Sequence, residues 1–287
     1  MSERIKRSAL AGTWYAAGAE PLQRQVDALL DTVGDLAAPE RLAGLIVPHA
    51  GYVYSGRAAA AGYACLRGVA YRRALILAPS HHAAFRGAAL LDVACFETPL
   101  GRVPVDSGGV AALASAALCH VNAEPFRDEH AVEIQLPFLQ RVHPGLPVVP
   151  VLLGALSDQD SRRVADALRT VADADTLVVV SSDFVHYGWR FAYEPFPAHD
   201  AEQVRGALRR LDMGAIDLVC RGDAAGFGAY VETTGATICG AVPIGVFLAW
   251  HGGRTAGRLL TYYTSLDVTH DYEHTVSYAA VAFPAAA

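Results

Sequence analysis

Charge is scarce in this sequence. Only 18% of its 287 residues are Asp, Glu, Lys or Arg, and the formal net charge is −6. No basic stripe or arginine-rich run follows the pattern that tracks a phosphate backbone, which argues against nucleic acid as the main partner. The pI near 6.0 agrees with that reading. Long apolar runs are missing too. No stretch reaches the roughly 18 uninterrupted apolar residues of a membrane span, so no membrane partner is expected. The start, Met1 to Arg7, is basic but has no apolar segment long enough for a signal peptide. The five cysteines, Cys65, Cys95, Cys119, Cys220 and Cys239, are odd in number and contain no CxxC pair. A disulfide framework is therefore not expected, and a reduced, cytoplasmic setting is. Linkers, low-complexity segments and repeats of fixed period are also absent.

What is present is core. Hydrophobic residues make up 53% of the chain, and the length suits one α/β domain spanning residues 1–287. Helical spacing runs from Glu20 to Leu36, with Pro21 in the first turn. Further helices are expected over Ser55–Leu66, Ser107–Leu118, Glu129–Val142, Ser157–Val171, Ala201–Leu211, Ala215–Val231 and Ile238–Trp250. Pro137 is expected to kink or break its helix. Ser157 is placed as an N-cap. Strands are expected at Leu45–Val47, Ala74–Ala78, Pro147–Leu153, Leu177–Val180, Arg258–Leu266 and Val276–Phe283. The turn Thr98-Pro99-Leu100-Gly101 marks a hairpin-like edge, which makes the sheet mixed. The order predicts a single three-layer α/β/α domain with a mixed, largely parallel sheet.

Three strands end in histidine. Leu45-Ile46-Val47 runs into Pro48-His49, Leu75-Ile76-Leu77-Ala78 into Pro79-Ser80-His81-His82, and Leu177 to Val180 into Ser181-Ser182-Asp183-Phe184-Val185-His186. Carboxyl ends of parallel strands share one edge, where ligands bind. Any one of these histidines alone would be explained as a hydrogen-bonded turn residue. Three in matching positions point to imidazoles that converge on a metal. Asp183 lies three residues before His186, so it can orient an imidazole, bind the metal or cap the turn. No GxSxG elbow accompanies the serines, which argues against a serine hydrolase. Cys239 follows the polar run Thr233 to Ile238 and precedes an apolar helix, so it is read either as a thiolate ligand or nucleophile or as a buried packing residue. In Asp128-Glu129-His130-Ala131-Val132-Glu133, the first two acids are explained by a helix dipole. His130 and Glu133 are expected to line the pocket or relay protons, with Trp14, Tyr52 and Tyr54 as aromatic walls.

Taken together, Pro48-His49-Ala50-Gly51-Tyr52 with Tyr54-Ser55-Gly56, Pro79-Ser80-His81-His82, Asp128-Glu129-His130 with Gln135-Leu136-Pro137, Ser181-Ser182-Asp183-Phe184 with His186, and Thr237-Ile238-Cys239-Gly240 resemble the Memo family. That family includes the B component of the AmmeMemoRadiSam system. The resemblance covers nearly the whole chain, from Gly12-Thr13-Trp14-Tyr15 to the closing strands. It implies a fold similar to the class III extradiol dioxygenases, which are non-haem iron enzymes. By that similarity His49 and His81 match two metal-binding histidines and His186 matches an acid/base histidine. Cys239 falls where those enzymes carry a carboxylate ligand. The expectation is a divalent metal held by His49, His81 and Cys239, with iron favoured and copper or zinc as alternatives. His186, oriented by Asp183, would serve redox or oxygenase-like chemistry, and Trp14, Tyr54, His130 and Glu133 would contact an unknown small molecule or peptide. The resemblance also implies a functional link to a radical SAM protein and an AMMECR-like protein. For animal members it implies a signalling role in cell motility and iron or copper redox handling. Two other readings stand beside it: a non-catalytic peptide- or partner-binding module, and a zinc-dependent hydrolase.

Overall fold

Apolar runs without polar alternation make strands that are covered on both faces. Four such runs form the centre of the molecule. The computed structural model describes residues 4–34, 40–197 and 199–286. In chain order it begins with strand β1 (Ile5–Lys6), helix α1 (Ala19–Asp31), β2 (Leu42–Val47), α2 (Tyr52–Ala64), β3 (Arg73–Pro79) and β4 (Ala88–Leu90). The hairpin β5 (Cys95–Thr98) and β6 (Gly101–Pro104) follows, then α3 (Ser107–Ala114), β7 (Cys119–Val121), α4 (Leu136–Val142) and β8 (Val148–Leu153). The chain continues through α5 (Asp158–Leu168), β9 (Thr176–Ser181), β10 (His186–Tyr187), α6 (Ala201–Cys220) and α7 (Ala224–Thr234). It closes with α8 (Ala241–His251), β11 (Arg258–Thr264), α9 (Leu266–Thr269) and β12 (Thr275–Pro284).

The main sheet has the order β10-β12-β2-β9-β3-β8-β4-β7, with β11 also paired to β12. Strands β2, β9, β3 and β8 run parallel to one another. Antiparallel partners flank them, β12 on β2 and β4 on β8. The sheet is therefore mixed, with the parallel strands at its centre. The hairpin expected near Thr98 forms as β5 and β6 in a separate small sheet with β1. Helices α1, α2 and α4 pack together, with α2 against β2, β11 and β12; α8 packs against β3, β9 and α5. Small residues allow the close approach of α2: a Cβ at Gly62 would lie 2.6 Å from Val47 Cγ1.

Several boundaries differ from the sequence reading for local reasons. Pro137 breaks nothing. It occupies the first turn of α4, where a missing N–H costs no hydrogen bond, and a short 3₁₀ turn over Glu133–Gln135 precedes it. Pro243 sits equally early in α8. The break expected after Leu211 is absent because Asp212 is buried in mid-helix. The chain turns instead at Gly222, whose φ of +70° ends α6. Helix α1 ends at Asp31, and residues 35 and 36 of the expected helix lie outside the described residues. The Ser157 cap is present, its hydroxyl accepting from Asp160 N.

Candidate metal centre

The neighbours β2, β9 and β3 end at the same level. Val47 of β2 is in register with Ser181 of β9, and Val180 of β9 with Leu77 of β3. His49 follows β2 by two residues and His81 follows β3 by two. The loop before the 3₁₀ turn brings His130 to the same edge. One ligand atom from each of His49, His81 and His130 lies within 4.8 Å of the others. The rings of His81 and His130 stack at 4.5 Å, and that of His49 stands edge-on to both, at 5.0 and 5.3 Å.

Two of the three imidazoles, His49 and His81, are held by polar groups behind them. Ser181 Oγ donates to Ala131 O at 2.6 Å and accepts from Gln135 Nε2 at 2.8 Å. Its one proton is thus committed, so at 3.1 Å it accepts from His49 Nδ1–H. That fixes the tautomer and leaves the lone pair of His49 on Nε2. Gln135 is locked in turn, donating to Pro48 O at 3.0 Å and accepting from the Tyr63 hydroxyl at 3.0 Å. Glu129, whose side chain is wholly buried, does the same for His81. Its Oε1 accepts His81 Nδ1–H at 2.9 Å and its Oε2 accepts the His81 backbone N–H at 2.6 Å. The backbone N–H groups of His130 and Ala131 also donate to Oε1, both at 2.9 Å. Metal-binding histidines are commonly oriented in this way by a hydrogen bond at the second ring nitrogen.

The electrostatics favour neutral imidazoles that offer lone pairs. Burial lowers the pKa of His49 to about 4, with the neighbouring His81 and His186 adding to the effect against Asp183. Burial and the other two histidines lower His130 to about 3. Burial alone would raise Glu129, but its bonds from His81 outweigh that and hold it at about 2, a carboxylate. Donor set and protonation fit a divalent metal ion.

The structure distributes the other expected residues unevenly. Cys239 Sγ lies 3.1 Å from His49 Nε2 and 3.6 Å from Asp183 O, beside the histidine cluster but outside the mutually close group. Burial raises its thiol well above the usual range, which favours S–H, with the Asp183 carbonyl and the His49 Nε2 lone pair both within reach of the proton. His186 is not the third imidazole; His130 is. The His186 Nε2 stands 3.9 Å from Asp183 Oδ2, an ion-pair separation rather than a hydrogen bond. Asp183 Oδ1 instead accepts the His49 backbone N–H at 2.8 Å, so it fixes the main chain at the metal edge. Thr237 latches His186 to the Cys239 loop, accepting from His186 N at 3.0 Å and donating to His186 O at 2.7 Å. Trp14 packs on His130 with ring centroids 4.4 Å apart, while Tyr54 lies exposed in the first turn of α2.

Glu133 corrects an expectation. It does not join His130. It is buried and its carboxylate accepts from Ser8 Oγ, Ala9 N, Leu10 N and the Tyr15 hydroxyl, which ties down the amino-terminal segment. Glu129 corrects another. It caps no helix, since helical residues begin only at Glu133. Its direct adjacency to His130 was the signal that could have marked it as a site residue. A second acidic group, Asp271, Glu273 and His274, is largely exposed, and Asp271 Oδ1 is taken up by the backbone N–H groups of Glu273 and His274.

A mixed α/β sheet with three imidazoles gathered at one edge, two of them delivered by parallel strands and braced at Nδ1, defines an α/β protein with a histidine cluster that could hold a metal ion. The comparisons narrow that class. The profile of the family described as Memo-like protein matches residues 6–282, and the chain belongs to that family. It is 33% identical to Protein MEMO1 of Xenopus laevis and 32% identical to that of Homo sapiens, over 98% of both chains in each case. It is also 33% identical to the Protein memo-1 homolog of Caenorhabditis elegans, over 96% of this chain and 82% of that one. The fold is similar to that of the uncharacterized protein JW3007 from Escherichia coli K12, with a TM-score of 0.52 at 10% identity, over 84% of this chain and 98% of that one.

Proposed function

We propose that this protein is a metal-dependent enzyme of redox or oxygenase-like type, acting on a small molecule at the carboxyl edge of the sheet. One observation carries the reading: three imidazoles lie with ligand atoms within 4.8 Å, two of them braced at Nδ1 so that the lone pair lies on Nε2. His49, His81 and His130 would hold the ion, with the Cys239 thiol positioned to complete the set. Imidazole donors suit iron, copper and zinc alike, and a thiol suits copper and zinc; iron is favoured on the resemblance to the extradiol dioxygenases. When bound, such an ion supplies Lewis acidity and one-electron chemistry at an open coordination position.

The protein's own groups do the rest. Glu129 and Ser181 hold the imidazoles in the ligating tautomer. His186, partly exposed at the rim and 3.9 Å from Asp183, is placed to hold or move a proton of the substrate. Trp14 packs against the His130 ring and forms one wall of the site. The test is anaerobic purification followed by metal analysis of wild type, His49→Ala and His81→Ala, with oxygen uptake measured on the metal-loaded wild type. The expected result is about one iron or copper per chain in wild type and loss in both variants. Equal metal in all three, or zinc alone with no oxygen uptake, would remove the reading.

A further inference from the structure

Next to the histidine cluster a cleft of about 520 Å³ opens between the loop after β3, the end of β8 and the start of α8. His81 and Cys239 line it, which connects it to the candidate metal centre. The other walls are mostly apolar and include Phe85, Leu153, Ala155, Val242 and Pro243. Among the described residues that line it, none is Asp, Glu, Lys or Arg. The carboxylates nearest the centre, Glu129 and Asp183, are buried behind the histidines and engaged there.

The walls are built in advance. Ala155 N donates to Phe85 O at 2.8 Å and Gly154 N to Gly87 O at 2.9 Å, which stitches the loop after β3 to the end of β8. Ser80 Oγ donates to Ala83 O at 2.8 Å inside that loop. Arg86, on the same loop, pairs with Asp160 in the first turn of α5, and Asp160 is itself buried. The volume falls in the range of small-molecule sites, which combine apolar walls with a few polar groups that fix orientation.

We infer that this cleft takes a neutral, mainly apolar small molecule, of about ten to fifteen non-hydrogen atoms, whose one polar end faces the metal. The inference rests on the metal reading and adds the substrate class to it. A charged tail would lose its hydration in the cleft and find no counter-charge. Any charge on the ligand belongs at the end that meets the ion. His82, exposed and 6.4 Å from the His81 ring, stands at the cleft as its one further titratable group.

The test uses full-length protein loaded with Co(II), whose visible bands report ligand binding. Three probes share one metal-binding end: imidazole, 4-phenylimidazole and 4-(imidazol-4-yl)benzoate. The expected order is 4-phenylimidazole at least tenfold tighter than imidazole, and at least tenfold tighter than the carboxylate analogue. Ala155→Trp, at an exposed wall position, removes the phenyl advantage, and Val242→Asp abolishes it too; Co(II) loading is the folding control for both. Equal affinity for imidazole and 4-phenylimidazole overturns the inference, as does a preference for the carboxylate. If Co(II) does not bind, the metal reading falls. The cleft is then judged in the metal-free protein by saturation transfer from the methyl groups of Leu153 and Val242 to the phenyl protons of 4-phenylimidazole. Transfer that disappears in Ala155→Trp supports the cleft, and no transfer in wild type overturns it.

Discussion

At the scale of single residues, the site depends on groups that never face the ligand. Glu129 spends both oxygens on the loops that carry His81 and His130. Removing it frees the His81 ring to rotate and leaves buried N–H groups without partners. Glu129→Ala is expected to weaken metal affinity about 10–100-fold, measured by competition with a chromophoric chelator. Unchanged affinity would reduce Glu129 to a structural residue. Asp212 shows the opposite case, a buried acid with little charge nearby. Burial raises its pKa to about 6 even though Tyr262, Ser277 and Val185 N donate hydrogen bonds to it. The folded state therefore binds this proton more tightly than the unfolded chain. The resulting stabilisation is full below about pH 4 and is lost as pH rises through about 6. Relative to wild type, Asp212→Asn should gain about 2–3 kcal/mol between pH 4 and pH 7, read from urea unfolding at both values. A pH-independent difference between the two proteins would show that Asp212 is ionised in the fold throughout. The sequence pointed to His49 and His81 because each follows an apolar strand directly. His130 and Glu129 follow no strand, and only the folded loop reveals that Glu129 serves the histidines on both sides of the cluster.

At the scale of elements, periodicity and apolar runs were enough to locate the central strands and most helices. They could not assign breaks that depend on tertiary contacts. Asp212-Met213-Gly214 resembles a helix end, yet the Asp212 carboxylate is buried and accepts from Val185 N and from the Tyr262 hydroxyl of β11, and the helix continues to Cys220. The start of α8 shows how tightly an element can be placed. Gly240 N donates to Ser182 Oγ at 3.1 Å, and a Cβ at Gly240 would stand 2.3 Å from Ser182 Cβ. Alanine there must push α8, and Cys239 with it, away from β9. Gly240→Ala is expected to cost about 1–3 kcal/mol in urea unfolding; an unchanged midpoint would show that the contact relaxes freely.

At the scale of the whole molecule, a wide central sheet brings together residues that are far apart in the chain. Parallel strands made the shared edge an expectation, and the adjacency of β2, β9 and β3 is what realises it. Strand order is a non-local property, which the sequence pattern left open. Among the described residues no helix is long and apolar enough to cross a membrane. The fold and the family of this chain are thus established, while the chemistry rests on one place in the molecule. The most direct measurement of that claim is an anomalous difference map, at the absorption edge of the bound metal, from crystals grown anaerobically. We predict a single strong peak enclosed by the imidazoles of His49, His81 and His130, with Cys239 beside it. A map with no peak there, or with its only peak at Asp271, Glu273 and His274, would contradict the account.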